Sequence, residues 1–211
     1  MICVSIRSSG QLSLIEGKDI KLVELRLDLI EEPPGRLFPQ IDVNLQTIAT
    51  CRPGNSKEHE RFGLLQEAIT LGADFIDLEI ETPPGVISRL KKHARENNCQ
   101  LILSWHDFKK TPGKADLQSI IGDCYAKGAD IAKIACMVHK KDDILNLMSL
   151  YELPGRKVVL GMGKMGAITR IVAPFLGSEF TYASTSGEEE TAPGQLTVDE
   201  LLTIFNILKQ S

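Results

Sequence analysis

Short apolar runs rich in β-branched residues return every 20–30 residues along the chain, beginning at Ile2, Leu22, Leu45, Phe75, Leu101, Asp130, Lys157 and Phe180. Between several of them, apolar residues recur at three- and four-residue spacing. Phe62, Leu65, Ala68 and Ile69 share a stripe over 61–71, and Val86, Ile87 and Leu90 share one over 86–93. Leu117, Ile120, Ile121 and Cys124 do the same over 117–125, as do Val198, Leu201, Leu202, Phe205 and Leu208 over 197–208. That period predicts amphipathic helices. Asp116, Thr197 and Ser88 suit early-turn or capping positions, and Gly72 and Gly128 stand where a left-handed helix end is expected. Pro33-Pro34-Gly35 and Pro83-Pro84-Gly85 read as turns after strands.

Strands alternating with helices predict βαβ units and a parallel sheet. Eight such repeats in 211 residues suit one (β/α)8 TIM barrel, a single catalytic domain over 1–211, near the lower size limit of that fold. A doubly wound open sheet is the structural rival. No Pro/Gly/Ser-rich linker divides the chain, and the sequence-similar repeats of a solenoid are missing.

Composition narrows the function classes. Hydrophobic residues make up 43% and charged residues 25%, the balance of a folded globular chain. A formal charge of −4 supplies no electrostatic reason to bind nucleic acid or an anionic membrane. No apolar run approaches a membrane span, and the opening MICVSIRSSG lacks the basic and long apolar regions of a secretory signal. Cys3, Cys51, Cys99, Cys124 and Cys136 are odd in number and widely spaced, which fits reduced, buried thiols of a cytoplasmic protein. Cys136 and His139 form the one close couple, too small a set for zinc.

The strand faces carry the chemistry. Alternate residues of a barrel strand point inward, and active sites sit at the C-terminal strand ends. Most barrel interiors are filled by Val, Ile and Leu; this one is expected to differ. Alternation puts Glu24, Arg26 and Asp28 on one face of the second strand, Thr50 and Arg52 at the end of the third, and Phe75, Asp77 and Glu79 on the fourth. Ile102, Ser104 and His106 share a face of the fifth, and Ile131, Lys133 and Ala135 one of the sixth. Any one of these charges could be structural support. Together, Glu24, Arg26, Arg52, Asp77, Glu79, His106 and Lys133 predict a polar, charge-balanced cavity for a small polyhydroxylated acid.

A desolvated lysine near arginines has its ammonium form disfavoured, so the pKa of Lys133 is expected to fall. Its free amine can attack a ketone and form a Schiff base. The iminium acidifies the neighbouring carbon, and His106, on the adjacent strand, is the natural general base. Arginines would hold a carboxylate. This derives imine chemistry without separating elimination from aldol cleavage. Gly161-Met162-Gly163-Lys164-Met165-Gly166 matches a dinucleotide fingerprint, but only one strand follows it, so a tight backbone turn beside the ligand is the expected use. The run Glu188-Glu189-Glu190 reads as a solvated loop face, and Lys91-Lys92-His93 as an exposed helix face.

These residues make the sequence resemble the type I 3-dehydroquinate dehydratases over essentially the whole chain. The matching segments are Glu24-Leu25-Arg26-Leu27-Asp28, Thr50-Cys51-Arg52, Ile76-Asp77-Leu78-Glu79, Ser104-Trp105-His106-Asp107-Phe108 and Ala132-Lys133-Ile134-Ala135. The glycine-rich Gly161–Gly166 turn with Arg170 and Ala192-Pro193-Gly194-Gln195 complete the set. The resemblance implies a (β/α)8 barrel, usually a homodimer, with no cofactor and no metal. It implies conversion of 3-dehydroquinate to 3-dehydroshikimate by syn elimination of water, a shikimate-pathway step. Lys133 would form the Schiff base, and His106 would move the protons. Arg170 and Gln195 would hold the carboxylate side, Glu24, Arg26 and Arg52 the ring hydroxyls, and Met162 and Met165 the ring face. Asp28 and Asp77 would support the arginines and the lysine.

Two departures from the family pattern stand out. Thr191 replaces the usual serine before Ala-Pro-Gly-Gln. After Arg52 the family's His-orienting carboxylate lacks its usual Gly-Gly context; Glu58 is the preferred match and Glu60 the alternative. A class I Schiff-base aldolase on the same barrel and a non-catalytic, barrel-derived binding protein are the competing readings.

Overall fold

The computed structural model describes residues 1–54, 58–187 and 191–210; the run Glu188-Glu189-Glu190 lies outside them. Strands β1 (Ile2–Ile6), β2 (Leu22–Arg26), β3 (Gln46–Thr50), β4 (Phe75–Glu79), β5 (Gln100–Asp107), β6 (Ile131–Met137), β7 (Lys157–Met162) and β8 (Thr181–Ala183) match the predicted apolar runs, β5 starting one residue ahead of its run. They form one sheet in the order β7-β6-β5-β4-β3-β2-β1-β8, with parallel pairing throughout. At the seam, the Glu179 N–H donates to the Lys157 carbonyl at 3.1 Å, bringing the two sheet ends together. The result is a nearly closed (β/α)8 barrel, not a doubly wound open sheet.

Each strand feeds a helical segment. A 3-10 helix (Ser9–Ile15) follows β1, and α1 (Pro34–Leu37) follows β2. Helices α2 (Glu58–Thr70), α3 (Pro84–Glu96), α4 (Lys114–Ala126), α5 (Lys141–Met148), α6 (Ala167–Val172) and α7 (Val198–Gln210) follow the remaining strands. The long ones, α2, α3, α4 and α7, are those the apolar period predicts. The Pro-Pro-Gly segments are helix starts rather than free turns, with Pro34 and Pro84 as first helical residues. Proline fits there because that N–H has no helical acceptor in any case. Thr197 caps α7 reciprocally with Glu200: its N–H and Oγ1 donate to Glu200 Oε2 at 2.8 and 2.9 Å, and the Glu200 N–H donates back to Oγ1 at 3.2 Å. Asp116 lies in the first turn of α4, whereas Ser88 sits inside α3. Gly72 and Gly128 both end helices at φ +96°, as their placement predicts.

Alternation sorts the strand residues into two environments. Outward residues such as Val23, Leu25, Ile76, Leu78, Leu103 and Ile134 pack under the helices. Inward, the N-terminal half of the barrel is an apolar plug of Cys3, Leu22, Ile48, Phe75, Ile102, Ile131, Val158 and Phe180. The interior is therefore not charged throughout, which corrects the simplest form of the sequence expectation. The next inward residues up the same strands are Ser5, Glu24, Thr50, Asp77, Ser104 and Lys133, all buried. Apolar plug gives way to charged layer within two residues, about 6.6 Å of strand. The plug closes the barrel floor, so the polar layer opens only toward the C-terminal mouth.

Phe180 is fully buried and meets Phe75 and Tyr182 edge-on, with ring centroids 6.5 and 5.5 Å away. Truncation there leaves a cavity that the closed barrel cannot collapse. Phe180→Ala is expected to lower the unfolding free energy by about 3–5 kcal/mol, measured by urea titration; a loss under about 1 kcal/mol would show that the plug is not close-packed.

Candidate active site

A cavity of about 400 Å³ opens at the C-terminal strand ends, the end of the barrel where βα loops build sites. Its wall includes Glu24 and Arg26 from β2, Glu79 from β4, His106 from β5, Lys133 from β6 and Met162 from β7. Arg52, directly after β3, Arg170 of α6, and Thr191 and Gln195 of the last loop complete it. Of the predicted site residues, Glu58 and Met165 are not among those brought to this space.

Asp77 organises the charges. It is fully buried, and its two oxygens take four hydrogen bonds. Oδ1 accepts from Arg52 Nη1 at 2.9 Å and from Ser104 Oγ at 2.6 Å. Oδ2 accepts from Arg52 Nη2 and Lys133 Nζ at 2.7 and 2.8 Å. Burial alone would raise its pKa, but Arg52 and Lys133 hold it far below the usual carboxylate range. The sequence placed arginines beside Lys133. In the fold a carboxylate comes between, so Lys133 contacts Asp77 directly and Arg52 through it. Glu24 Oε1 lies 3.7 Å from Lys133 Nζ. Ser5 Oγ and Thr50 Oγ1 fix Glu24 by donating at 2.8 and 2.9 Å.

The arginines are equally constrained. Arg52 also donates to Glu79 Oε1 at 2.7 Å, and Arg61 of α2 pairs with the other Glu79 oxygen. Arg26 binds Asp28 with both Nε and Nη2, at 3.0 and 2.7 Å. Arg170 is almost completely buried in the wall. Such fixed cations can meet an anionic ligand without first being ordered.

His106 sits one inward step above the Lys133 level: Ser104 is in register with Lys133, and His106 with Ala135. It is half-buried, and its ring stacks on Phe108 with centroids 6.0 Å apart and planes 13° apart. Burial pushes its pKa well below the usual histidine value, and Arg52 and Lys133 push the same way against Asp77. The imidazole is therefore neutral, and able to accept a proton, at neutral pH. Between the folded midpoint and the ordinary value near 6.5, the unfolded chain binds more protons than the folded one. Stability from this group is thus present above pH 6.5 and lost as pH falls through that window.

The glycine-rich turn serves backbone packing. Gly163 has φ +79° and Gly194 φ +72°. The Gly163 N–H donates to the Pro193 carbonyl at 2.8 Å, and a Cβ on Gly194 would run into the Gly163 carbonyl. Two loops from β7 and β8 are locked together by their main chains. That lock places Gln195, whose Oε1 accepts from the Thr191 N–H and Oγ1 at 2.8 and 2.9 Å. Met162 is buried in the wall, whereas Met165 is 46% exposed and does not line the cavity.

Glu58 stands exposed on the first turn of α2, away from the cavity lining, as does Glu60. The carboxylate acting on His106 electrostatically is Asp77. Tyr182 is not among the residues that the sequence singles out. It lines the cavity, and its hydroxyl accepts from Lys133 Nζ at 2.9 Å. The signal was available: Phe180 and Tyr182 alternate on β8 as the inward residues do on the other strands.

Fold and site define a (β/α)8-barrel enzyme with a lysine and a histidine in a charge-lined cavity at the strand ends. The family model for type I 3-dehydroquinase matches residues 2–211. A 3-dehydroquinate dehydratase of Methanococcoides burtonii is 42% identical over 205 residues, covering 92% of this chain and 86% of the relative. One of Methanosarcina mazei is 37% identical over 212 residues, covering 92% and 87%. The crystal structure of 3-dehydroquinate dehydratase from Geobacillus kaustophilus superposes with a TM-score of 0.88 at 25% identity, covering 99% of this chain and 91% of that one. The chain belongs to the type I 3-dehydroquinase family. Membership sets it with the dehydratases, which are hydro-lyases, and not with the aldolases.

Titration of His106 followed by NMR is expected to give a midpoint below 6.5. The midpoint should rise when Lys133→Met removes the neighbouring cation. A midpoint at or above 6.5 in the unaltered protein would contradict the electrostatic picture of the site.

Proposed function

We propose that this chain dehydrates 3-dehydroquinate to 3-dehydroshikimate through a Schiff base on Lys133, with 1–211 acting as one catalytic barrel. The observation that carries the reading is the buried Lys133 amine facing the same cavity as a neutral His106. His106 takes a proton from the ammonium. The amine lone pair then forms the C–N bond at C3; His106 returns that proton to the carbonyl oxygen and relays a second one to it from the nitrogen, so that the oxygen leaves as water. Ammonium plus ketone thus becomes iminium plus water, with no net proton needed.

The iminium draws electrons from C2, and His106 removes the C2 proton, leaving an enamine. The enamine pair expels the C1 hydroxyl, which departs as water with the proton held by His106. Removal and delivery by one imidazole require both events on the same face, which makes the elimination syn. Water then hydrolyses the conjugated iminium, releasing product and restoring the lysine. Asp77, unable to take up a proton at neutral pH, balances the positive charge on nitrogen throughout.

Arg170 and Gln195 are assigned to the substrate carboxylate, with Thr191 orienting the Gln195 amide. Glu24, Arg26 and Arg52 are assigned to the ring hydroxyls, and Met162 to the ring. An orienting role for Glu58 has no support from its position on the exposed first turn of α2. The scheme uses only groups of this chain. The cytoplasm suits it, because all five cysteines are free and buried; no helix among the described residues is long and apolar enough to cross a membrane. A homodimer is the assembly that the family resemblance implies.

Borohydride added during turnover of 3-dehydroquinate should leave a reduced adduct on the Lys133 peptide, read by mass, and no adduct on inactive Lys133→Ala. Label at another lysine, or none on folded protein, would sink the imine scheme. Arg170→Ala should raise KM at least tenfold with a smaller change in kcat, since removing a charge-assisted contact costs about 1.5–3 kcal/mol; an unchanged KM would take Arg170 out of the site.

A further inference from the structure

We propose that Tyr182 is a positioning residue for the imine-forming nitrogen: its hydroxyl, with Asp77, holds Lys133 Nζ in the attacking orientation. The proposal rests on the Schiff-base reading above. Lys133 Nζ donates to Tyr182 Oη at 2.9 Å and to Asp77 Oδ2 at 2.8 Å, from β8 and β4 on different sides of the barrel. A tetrahedral nitrogen with two N–H groups engaged has one position left. That position is where the lone pair of the neutral amine must meet a carbonyl carbon.

A lysine side chain has four rotatable carbons and explores many rotamers when unrestrained. Two anchors from separate strands remove that freedom before the substrate arrives. The Tyr182 ring adds a third restraint, since Nζ lies 4.1 Å from its centroid, within reach of a cation–π contact.

Packing alone does not call for the hydroxyl. The neighbouring aromatic positions of the barrel interior, Phe75 and Phe180, are filled without one. Tyr182 is the step where the interior passes from apolar plug to charged layer. Its ring belongs to the plug, and its oxygen reaches the lysine. Burial and the nearby Glu24 charge keep the phenol protonated. The oxygen therefore stays a neutral acceptor that steadies the nitrogen without adding another charge to the site.

The test compares the unaltered chain with Tyr182→Phe, which keeps the ring and removes only the oxygen. Steady-state dehydration of 3-dehydroquinate is measured alongside timed borohydride labelling of the Lys133 peptide and thermal melting. The expected result is a fall of about 10- to 100-fold in both kcat and labelling rate, the scale of a misplaced reacting group. KM should stay within twofold and the melting temperature nearly constant. Wild-type kcat and labelling rate in Tyr182→Phe would overturn the proposal, whatever the melting temperature, by reducing the hydroxyl to a structural role. A change confined to KM would also overturn it. Absence of label on Lys133 in the unaltered chain would instead overturn the Schiff-base reading itself, so the two failures are told apart.

Discussion

The site depends on one buried carboxylate shared between two cations. Asp77 lies where a lone charge would cost several kcal/mol. It is tolerable because Arg52, Ser104 and Lys133 occupy all four of its acceptor directions. The dependence is mutual. Without Asp77, Arg52 and Lys133 would face each other as unpaired like charges in the barrel wall. A nucleophilic lysine can therefore be kept inside this barrel only with its counterion built into the neighbouring wall.

The same logic carries the charge network outward. Arg52 reaches from Asp77 to Glu79, and Glu79 to Arg61 on α2. Arg52 and Glu79 are each paired on two sides, so the chain of contacts ties the barrel mouth to its outer helix layer. Glu24, pinned by Ser5 and Thr50, closes the other side. Groups fixed in this way do not reorganise when a charged ligand arrives, and this preorganisation is what electrostatic catalysis requires. Below them the apolar plug supplies a rigid floor, and its aromatic contacts set the height of the polar layer above it.

The last two loops are held by a different device. Their main chains meet directly at Gly163 and Gly194. The resulting contact sets Gln195 and Thr191 in the wall of the cavity that Lys133 and His106 also line. A motif that on paper suggests phosphate binding is here a packing joint between β7 and β8. Glycine is needed for its missing side chain and its left-handed backbone, not for anion-binding amides.

Much of this was legible in the chain itself, for a local reason. Residue alternation along a strand is a property of the extended backbone, so the shared face of Glu24, Arg52, Asp77, His106 and Lys133 follows from sequence spacing alone. The long helices α2, α3, α4 and α7 were equally legible, because several turns give the apolar period room to show. Helices α1, α5 and α6 have only 4, 8 and 6 residues, too few for a period, and two Pro-Pro-Gly segments concealed helix starts. Only the closed barrel decided which charges touch. Lys133 and Asp77 stand 56 residues apart, and Lys133 and Tyr182 49 apart. Such contacts depend on the curvature and register of the whole sheet, which no local stretch of sequence encodes. For the same reason Glu58, plausible by its place in the chain, ends on an exposed helix turn, and Asp77 takes the central position.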